Sequence, residues 1–112
     1  MKLVSAVIKP FKLDEVKVAV RSAGVTGMTV YQARGFGRTG GHIEIYRGKE
    51  YEFDFVDKLR VEIVTTDEMA ESVIDAVVNA ARTDTVGDGM VWVSDIEHVA
   101  RIRTGERGPE AV

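Results

Sequence analysis

The sequence predicts an α+β fold of the ferredoxin-like type, in which two helices cover one face of a four-stranded antiparallel sheet. Two observations carry this prediction. Runs typical of strands occur four times, and two segments between them repeat apolar residues at helical spacing. Their order along the chain is βαββαβ, which is the order of that sandwich.

The four strand-like runs differ in pattern. The first, 3–8, is apolar on nearly both faces, as in a central strand. The second, 28–36, is rich in Thr, Val and Tyr, and the third, 58–65, alternates between apolar and polar residues. The fourth is 90–94, and a short extended piece is predicted at 99–103. Such a sheet has one face without helices. Because we expect its strands to be apolar on both faces, we expect the bare face to pair with other copies of the chain.

Two amphipathic helices are predicted between the strands. The first buries a stripe of Leu13, Val16, Val20 and Ala23, and it ends at Gly24, where a left-handed residue is favoured. The second is expected to begin with a capping box, because Glu68 follows Thr65 by three residues. Its buried stripe consists of Met69, Val73, Ala76, Val77 and Ala80.

Length and composition restrict the class of protein. The 112 residues predict one domain, and a net charge of −3 offers no general attraction for nucleic acid or an anionic membrane. The absence of cysteine excludes a disulfide framework and a thiol nucleophile. Neither a signal peptide nor a run long enough to span a membrane is recognisable, so we expect a cytoplasmic protein.

The segment 35–55 is the longest one without an obvious helix or strand period. It contains glycines at positions 35, 37, 40, 41 and 48, which make its backbone permissive. A loop of about twenty residues inside a compact domain is usually disordered or functional. We therefore expect this arm to fold irregularly and to contact another molecule.

Two motif matches at the start of the arm are weak. The run from Gly35 to Gly40 fits G-x-G-x-x-G, but no helical period follows it, as a dinucleotide site would require. The run from Arg34 to Gly37 fits the first half of an RNA-recognition signature on the same strand order. Arg38, Gly40 and Gly41 stand where stacking aromatics are needed. An RNA-binding module is therefore kept only as an alternative.

A polyphosphate ligand is indicated by two features near the C-terminus. In the turn Gly87-Asp88-Gly89, two glycines would allow backbone amides to converge on an anion, although a plain turn would use them too. Arg101 and Arg103 would share one face of an extended segment and form a fork for phosphate oxygens, although a solvated edge strand explains them equally well. Together the two features favour ATP or ADP.

Nothing in the sequence nominates an active site. His42 and His98 are far apart and lie in charged segments, so surface positions explain them better than catalysis or metal binding. The carboxylates of the helical segments are explained by their solvent faces and first turns. We expect a protein that is not an enzyme and holds no metal through its own side chains.

Over nearly its whole length the chain resembles the PII family of nitrogen-regulatory signal-transduction proteins. The resemblance rests on ordered matches at Ile8-Lys9-Pro10-Phe11-Lys12-Leu13-Asp14, Gly27-Met28-Thr29-Val30, Gly35-Phe36-Gly37-Arg38, Tyr46-Arg47-Gly48-Lys49-Glu50-Tyr51, Ala81-Arg82-Thr83, Gly87-Asp88-Gly89 and Arg101-Ile102-Arg103-Thr104-Gly105-Glu106.

The resemblance implies one PII-like domain over 1–112 that forms a compact homotrimer with ATP or ADP in each cleft between subunits. Segment 37–55 would be the T-loop, which contacts target proteins, 82–90 the B-loop, and 104–112 a flexible tail. The implied nucleotide-binding residues are Thr29, Gly35, Gly37, Arg38, Glu62, Val64, Gly87, Asp88, Gly89, Met90, Arg101 and Arg103.

An effector and its targets are implied in the same way. Lys58 would pair with the carboxylate of 2-oxoglutarate, with Thr39 beside a magnesium ion held by the ATP phosphates, and Tyr51 would be the site of uridylylation. The implied partners are ammonium transporters and nitrogen-assimilation enzymes or regulators, with no nucleic acid and no membrane insertion.

Three positions depart from the family pattern. Thr39 replaces a glutamine that completes the 2-oxoglutarate site, Met90 replaces a basic residue that contacts phosphate, and Lys49 replaces a small residue beside the modification motif. An alternative hypothesis is therefore a paralogue that has lost the 2-oxoglutarate response and reads ATP, ADP or another small effector.

Overall fold

A computed structural model describes residues 1–37 and 55–112 in full, and the backbone alone at 43–46 and 49–52. The strands are β1 (Lys2–Ile8), β2 (Thr29–Gly35), β3 (Ile43–Tyr46), β4 (Lys49–Glu52), β5 (Val56–Thr65) and β6 (Gly89–Asp95). The helices are α1 (Leu13–Ser22) and α2 (Ala70–Ala81), with short 3-10 turns at Pro10–Lys12 and Gly108–Ala111.

The main sheet is antiparallel, with the strand order β2-β5-β1-β6. The two central strands are β5 and β1, which pair from Lys2 with Thr65 to Ile8 with Leu59. This α+β arrangement of four strands and two helices is compatible with the predicted ferredoxin-like order.

The core lies between the sheet and the two helices. Side chains at alternate positions of β1 and β5 are buried on this side, because successive side chains of a strand point to opposite faces. The helices contribute apolar positions three or four residues apart, as their spacing predicts. The buried cluster includes Val4, Ala6, Ile8, Val16, Val20, Val61, Ile63, Val73 and Val77.

Among the described residues, no helix lies over the opposite face of the sheet, and this face is mixed in character. Tyr31, Val64 and Trp92 are partly exposed there, yet the guanidinium of Arg60 lies 5.2 Å from the ring centroid of Trp92 and 3.4 Å from the carboxylate of Glu62. The prediction of strands apolar on both faces is therefore too simple. This face combines aromatic area with an ion pair.

The helix ends test two predictions about capping. Gly24 follows α1 with a φ of +100° and donates its amide to the carbonyl of Arg21, which confirms the predicted left-handed C-terminal position. The predicted capping box is wrong, because α2 begins at Ala70 after a turn. Thr65 instead belongs to β5, where its hydroxyl donates to the carbonyl of Thr66.

The arm contains more regular structure than we expected. β3 and β4 pair antiparallel from Ile43 with Glu52 to Tyr46 with Lys49. At the base of the arm, the rings of Phe36 and Phe55 meet edge to face, with centroids 5.3 Å apart.

The C-terminal segment departs from the predicted extended piece at 99–103. Residues 102–104 form a turn, closed by the amide of Gly105 donating to the carbonyl of Arg101 over 2.7 Å. A single bridge joins Ala100 to Arg107, and the guanidinium of Arg101 lies 3.4 Å from the carbonyl of Ala111. Gly105 explains the difference, because its φ of +72° favours a turn over a strand.

In the part of the chain that the structure describes, no helix is both long enough and apolar enough to span a bilayer.

Candidate nucleotide site

Four strand ends meet at one end of the main sheet. Ile8 pairs with both Leu59 and Gly89, and Gly35 pairs with Val56. Antiparallel pairing thus brings the last residues of β1 and β2 together with the first residues of β5 and β6. The loop 82–90, the base of the arm and Lys58 consequently lie at the same end.

The loop 82–90 has an unusual backbone. Gly87 and Gly89 have φ angles of +96° and +101°, and Asp88 between them does not share the positive sign. Such alternation turns successive amides toward a common anion. A Cβ on Gly89 would lie 1.7 Å from the carbonyl oxygen of Val7, so this position excludes every side chain.

A network beneath the loop holds this backbone in place. The carboxylate of Asp88 accepts the Thr83 amide at 2.7 Å and also the Thr83 hydroxyl. The ammonium of Lys9 lies 3.2 Å from Asp88, 3.1 Å from the hydroxyl of Thr83 and 2.7 Å from that of Thr85. The Asp88 side chain therefore positions the loop. If Asp88 contacts a ligand as predicted, the contact is made by its backbone amide.

The stability of the loop is expected to depend on pH through Asp88. The hydrogen bonds from Thr83, with Lys9 adding to them, hold the pKa of Asp88 well below its ordinary value of 3.8. Because the folded pKa is lower than the unfolded one, the stabilisation is fully present above about pH 4 and is lost as pH falls further.

This expectation is checked by urea unfolding of the wild type and Asp88→Asn between pH 7 and pH 2.5. The variant is expected to be less stable at pH 7, and the difference in unfolding free energy should shrink as pH falls below about 4. Asp75→Asn, at an exposed position of α2, is the matched control. A difference that stays constant across this range would contradict the assignment.

Lys58 connects β5 to the same loop. Its ammonium donates a hydrogen bond to the carbonyl of Gly87. Desolvation lowers the pKa of Lys58, and the positive charge of Lys9 lowers it further. Because a trans peptide directs its C=O and N–H oppositely, this contact points the amide of Asp88 away from Lys58.

The other predicted site residues on the sheet lie farther along it. Thr29 pairs with Glu62, and Val64 is two positions beyond, opposite Leu3 of β1. These three residues belong to the face without helices. Met90 begins the same face of β6, close to the loop, and its side chain is 71% exposed.

Arg101 and Arg103 follow the far end of β6. The chain leaves that strand where the amide of Ile96 donates to the carbonyl of Met1. Arg101 lies 3.9 Å from the carboxylate of Glu106. Within the described ranges, no hydrogen bond or ion pair joins residues 99–112 to the loop 82–90. The predicted fork and the predicted amide nest are therefore not brought together within one chain.

Several predicted residues lie at or beyond the limits of the description. Gly37 is described, whereas the next two residues, Arg38 and Thr39, are outside the described residues. Tyr51 belongs to β4, of which only the backbone is described. The roles predicted for them remain predictions.

Three residues of the loop network were not predicted as functional. Lys9, Thr83 and Thr85 supply contacts that fix the loop. One sequence feature could have identified Lys9. It directly follows a buried strand, at the end of the sheet where the loop 82–90 leads into β6. Among the residues that the structure describes, no group of three or more His, Asp or Glu could hold a metal ion.

The fold and this loop define a small α+β protein whose candidate site is made of backbone amides and cationic side chains. The family model described as nitrogen regulatory protein P-II matches residues 1–106. Relatives with this name from Rhizobium meliloti, Rhodobacter capsulatus and Nostoc punctiforme are 56%, 55% and 54% identical, each over 112 residues that cover both chains completely. The chain belongs to the nitrogen regulatory protein P-II family.

Proposed function

We propose that this protein is a non-enzymatic regulator that binds ATP or ADP between subunits of a homotrimer and signals through segment 37–55 of the arm. The observation that carries the proposal is the division of the predicted nucleotide-binding residues between the two ends of the sheet. The loop 82–90 leads into the start of β6, and the two arginines come after the end of that strand.

This division favours a site shared between copies. β6 spans seven residues, so about 20 Å of strand lies between the loop and the point where the chain leaves the sheet toward the two arginines. A nucleotide that contacts both would need the loop of one copy and the arginines of the next. Such a head-to-tail contact closes into a ring when its rotation allows, and three is the number of copies that the family resemblance implies.

The sheet face without helices supports the same assembly. Its aromatic and aliphatic side chains, Tyr31, Val64 and Trp92, are partly exposed in the single chain. Burial of apolar area between copies is favourable by about 25 cal/mol per Å². The ion pair of Arg60 with Glu62 would give that interface a fixed orientation.

Regulation would pass from the nucleotide to the arm. The arm leaves the sheet at Gly35, which pairs with Val56 at the same end as the loop. A ligand shifts the arm between states only by its different affinity for them. The proposed targets are nitrogen-metabolism proteins of the cytoplasm: an ammonium transporter, or a nitrogen-assimilation enzyme or regulator.

Calorimetric titration of the purified protein with ATP and ADP tests the proposal, with light scattering to measure the mass of the assembly. We expect saturable binding of at least one nucleotide by a particle of three chains, at one nucleotide per chain. A monomer, or the absence of binding by either nucleotide, would contradict it.

A second candidate is a paralogue without 2-oxoglutarate sensing, favoured by the contact of Lys58. Its ammonium, which would pair with the ketoacid, already donates to Gly87, and position 39 is threonine. Titrations with magnesium and 2-oxoglutarate distinguish the two candidates. If the paralogue is right, the ketoacid leaves nucleotide affinity unchanged in the wild type, and Thr39→Gln introduces a dependence. Tightening by the ketoacid in the wild type would contradict this candidate.

A further inference from the structure

We infer that the side chain of Ile102 inserts into an apolar cleft of the neighbouring copy, beside the loop 82–90, and anchors the two copies to each other. This contact rests on the proposed head-to-tail assembly and adds to it a residue with no assigned role. Three features carry it: the exposure of Ile102, the order of the turn that holds it, and the size and position of the cleft.

Ile102 is the most exposed large apolar side chain in the part of the chain that the structure describes. Its exposure is 101%, and that of the next most exposed, Met90, is 71%. A single exposed apolar side chain needs no explanation by itself. This one, however, stands between Arg101 and Arg103, the residues assigned to the phosphates of a neighbouring copy. Because consecutive Cα atoms are only about 3.8 Å apart, bringing the arginines to that copy also brings Ile102 to it.

The turn that carries Ile102 is ordered by several hydrogen bonds. The amide of Gly105 donates to the carbonyl of Arg101 over 2.7 Å, and the amide of Arg101 donates to the carbonyl of Glu106 over 2.8 Å. The hydroxyl of Thr104 accepts the amide of Glu106 at 3.2 Å. Since the backbone around Ile102 is already fixed in the single chain, its burial in an interface loses little conformational entropy.

A cleft of suitable size lies between α2 and β6, at the end of the sheet where the loop 82–90 enters β6. Its volume is about 190 Å³, and an apolar cavity of about 150 Å³ is large enough to bind benzene. An isoleucine side chain has fewer carbon atoms than benzene and therefore fits. The polar residues that line the cleft are Arg82 and Asp88, and its apolar lining includes Val77, Val78, Ala81, Met90 and Val91.

The occupant of the cleft is a second copy of the chain. Ile102 does not fill the cleft of its own chain, because its side chain is fully exposed. β6 is an edge strand, and within the described ranges no strand pairs with its outer side, so a neighbouring copy can approach from there. An apolar side chain and a matching pocket on different surfaces of one molecule produce head-to-tail contacts, which close into a ring when the rotation allows.

Disulfide crosslinking tests this contact, because the chain contains no cysteine of its own. In the full-length double variant Ile102→Cys, Val78→Cys, each chain carries one thiol in the turn and one in the cleft. Mild oxidation is expected to give covalent dimers and trimers on a non-reducing gel, since a disulfide forms only between Cα atoms within about 7 Å. Ile102→Cys alone has one thiol per chain and can give no species beyond a dimer.

The matched control is the double variant Ile102→Cys, Val18→Cys, whose second thiol lies on an exposed face of α1. It should give no covalent trimer. If Ile102→Cys, Val78→Cys gave no covalent trimer either, or if the control gave as much of it, the contact between Ile102 and the cleft would be refuted.

Sedimentation equilibrium provides a second, independent measurement. Ile102→Asp is expected to weaken self-association at least tenfold, because an isoleucine side chain is no longer buried, whereas Ile102→Leu should stay within about threefold of the wild type. Circular dichroism should show an unchanged fold, since the side chain is exposed in the single chain. Assembly of Ile102→Asp as tight as that of the wild type would also refute the contact. A wild type that forms trimers and binds nucleotide would then leave the proposed function standing, whereas a monomeric wild type would overturn both.

Discussion

Alanine at position 89 is expected to destabilise the protein more than any other single exchange in the loop. The new Cβ would lie 1.7 Å from the carbonyl oxygen of Val7 and 2.8 Å from its carbonyl carbon, which are backbone atoms of a central strand. The residue would also retain a φ of +101°, which by itself costs about 1–3 kcal/mol for a non-glycine residue.

The clash can be relieved only by moving β6 away from β1 at their last pair, Ile8 with Gly89. We expect the free energy of unfolding to fall by more than about 3 kcal/mol, in the upper range for single substitutions. Urea unfolding at equal protein concentration measures it, since assembly makes stability concentration-dependent. Gly27→Ala is the control, because a Cβ there meets nothing within 4 Å. A loss below about 1 kcal/mol for Gly89→Ala would show that the loop backbone can shift.

Replacing Arg103 with alanine is expected to weaken ADP binding about ten- to a hundredfold. The reason is that a hydrogen bond to a charged group contributes roughly 1.5–3 kcal/mol, and each 1.4 kcal/mol is about tenfold in affinity. Arg103 is exposed in the single chain, so its removal leaves the core untouched. The dissociation constant measured by calorimetry should therefore rise while the unfolding transition stays in place.

Two companion variants sharpen this measurement. Arg103→Lys keeps the charge but not the planar fork, and it should recover only part of the affinity if phosphate is bound in a bidentate manner. Arg21→Ala removes an exposed arginine from the last turn of α1 and should leave the affinity unchanged. An Arg103→Ala variant that binds ADP as tightly as the wild type would refute the phosphate role of this residue.

Most of the fold prediction rested on the periodic spacing of apolar residues. Val16 with Val20 and Val73 with Val77 are spaced for one helical face, and both pairs are buried against the sheet. The alternation of β5 likewise predicted that Val61 and Ile63 would be inside. These signals are local and strong, because each element exposes one face and buries the other.

The errors arose where tertiary contacts outweigh local patterns. Thr65 fits a capping box, but pairing with Lys2 extends β5 through it. Arg101 and Arg103 alternate as in a strand, yet within the described part of the chain no strand pairs with them beyond the bridge at Ala100, and the chain turns at Gly105. The alternation of Ile43, Glu44 and Ile45 is itself a strand signal, which the surrounding glycines obscured.

The candidate site was predictable only in part. Gly87-Asp88-Gly89 indicated an anion-binding turn from its residue types, and the glycine φ angles fit that geometry. The anchoring of that turn by Lys9 could not be derived, because the two segments are separated by more than seventy residues in sequence. Only the pairing of β1 with β6 brings them together.

The register of β2 with β5 has a consequence for how this chain can change over evolutionary time. Gly35 and Val56 are direct cross-strand partners, with Phe36 and Phe55 in contact just beyond them. The intervening segment therefore connects two adjacent antiparallel strands, as the turn of a hairpin does. Doubling the length of a loop adds only about 0.6 kcal/mol to the free energy of closing it. Replacing the segment between these two aromatic residues is therefore expected to cost the fold little stability. The length and sequence of this segment can diversify toward new partners without altering the strand register or the core.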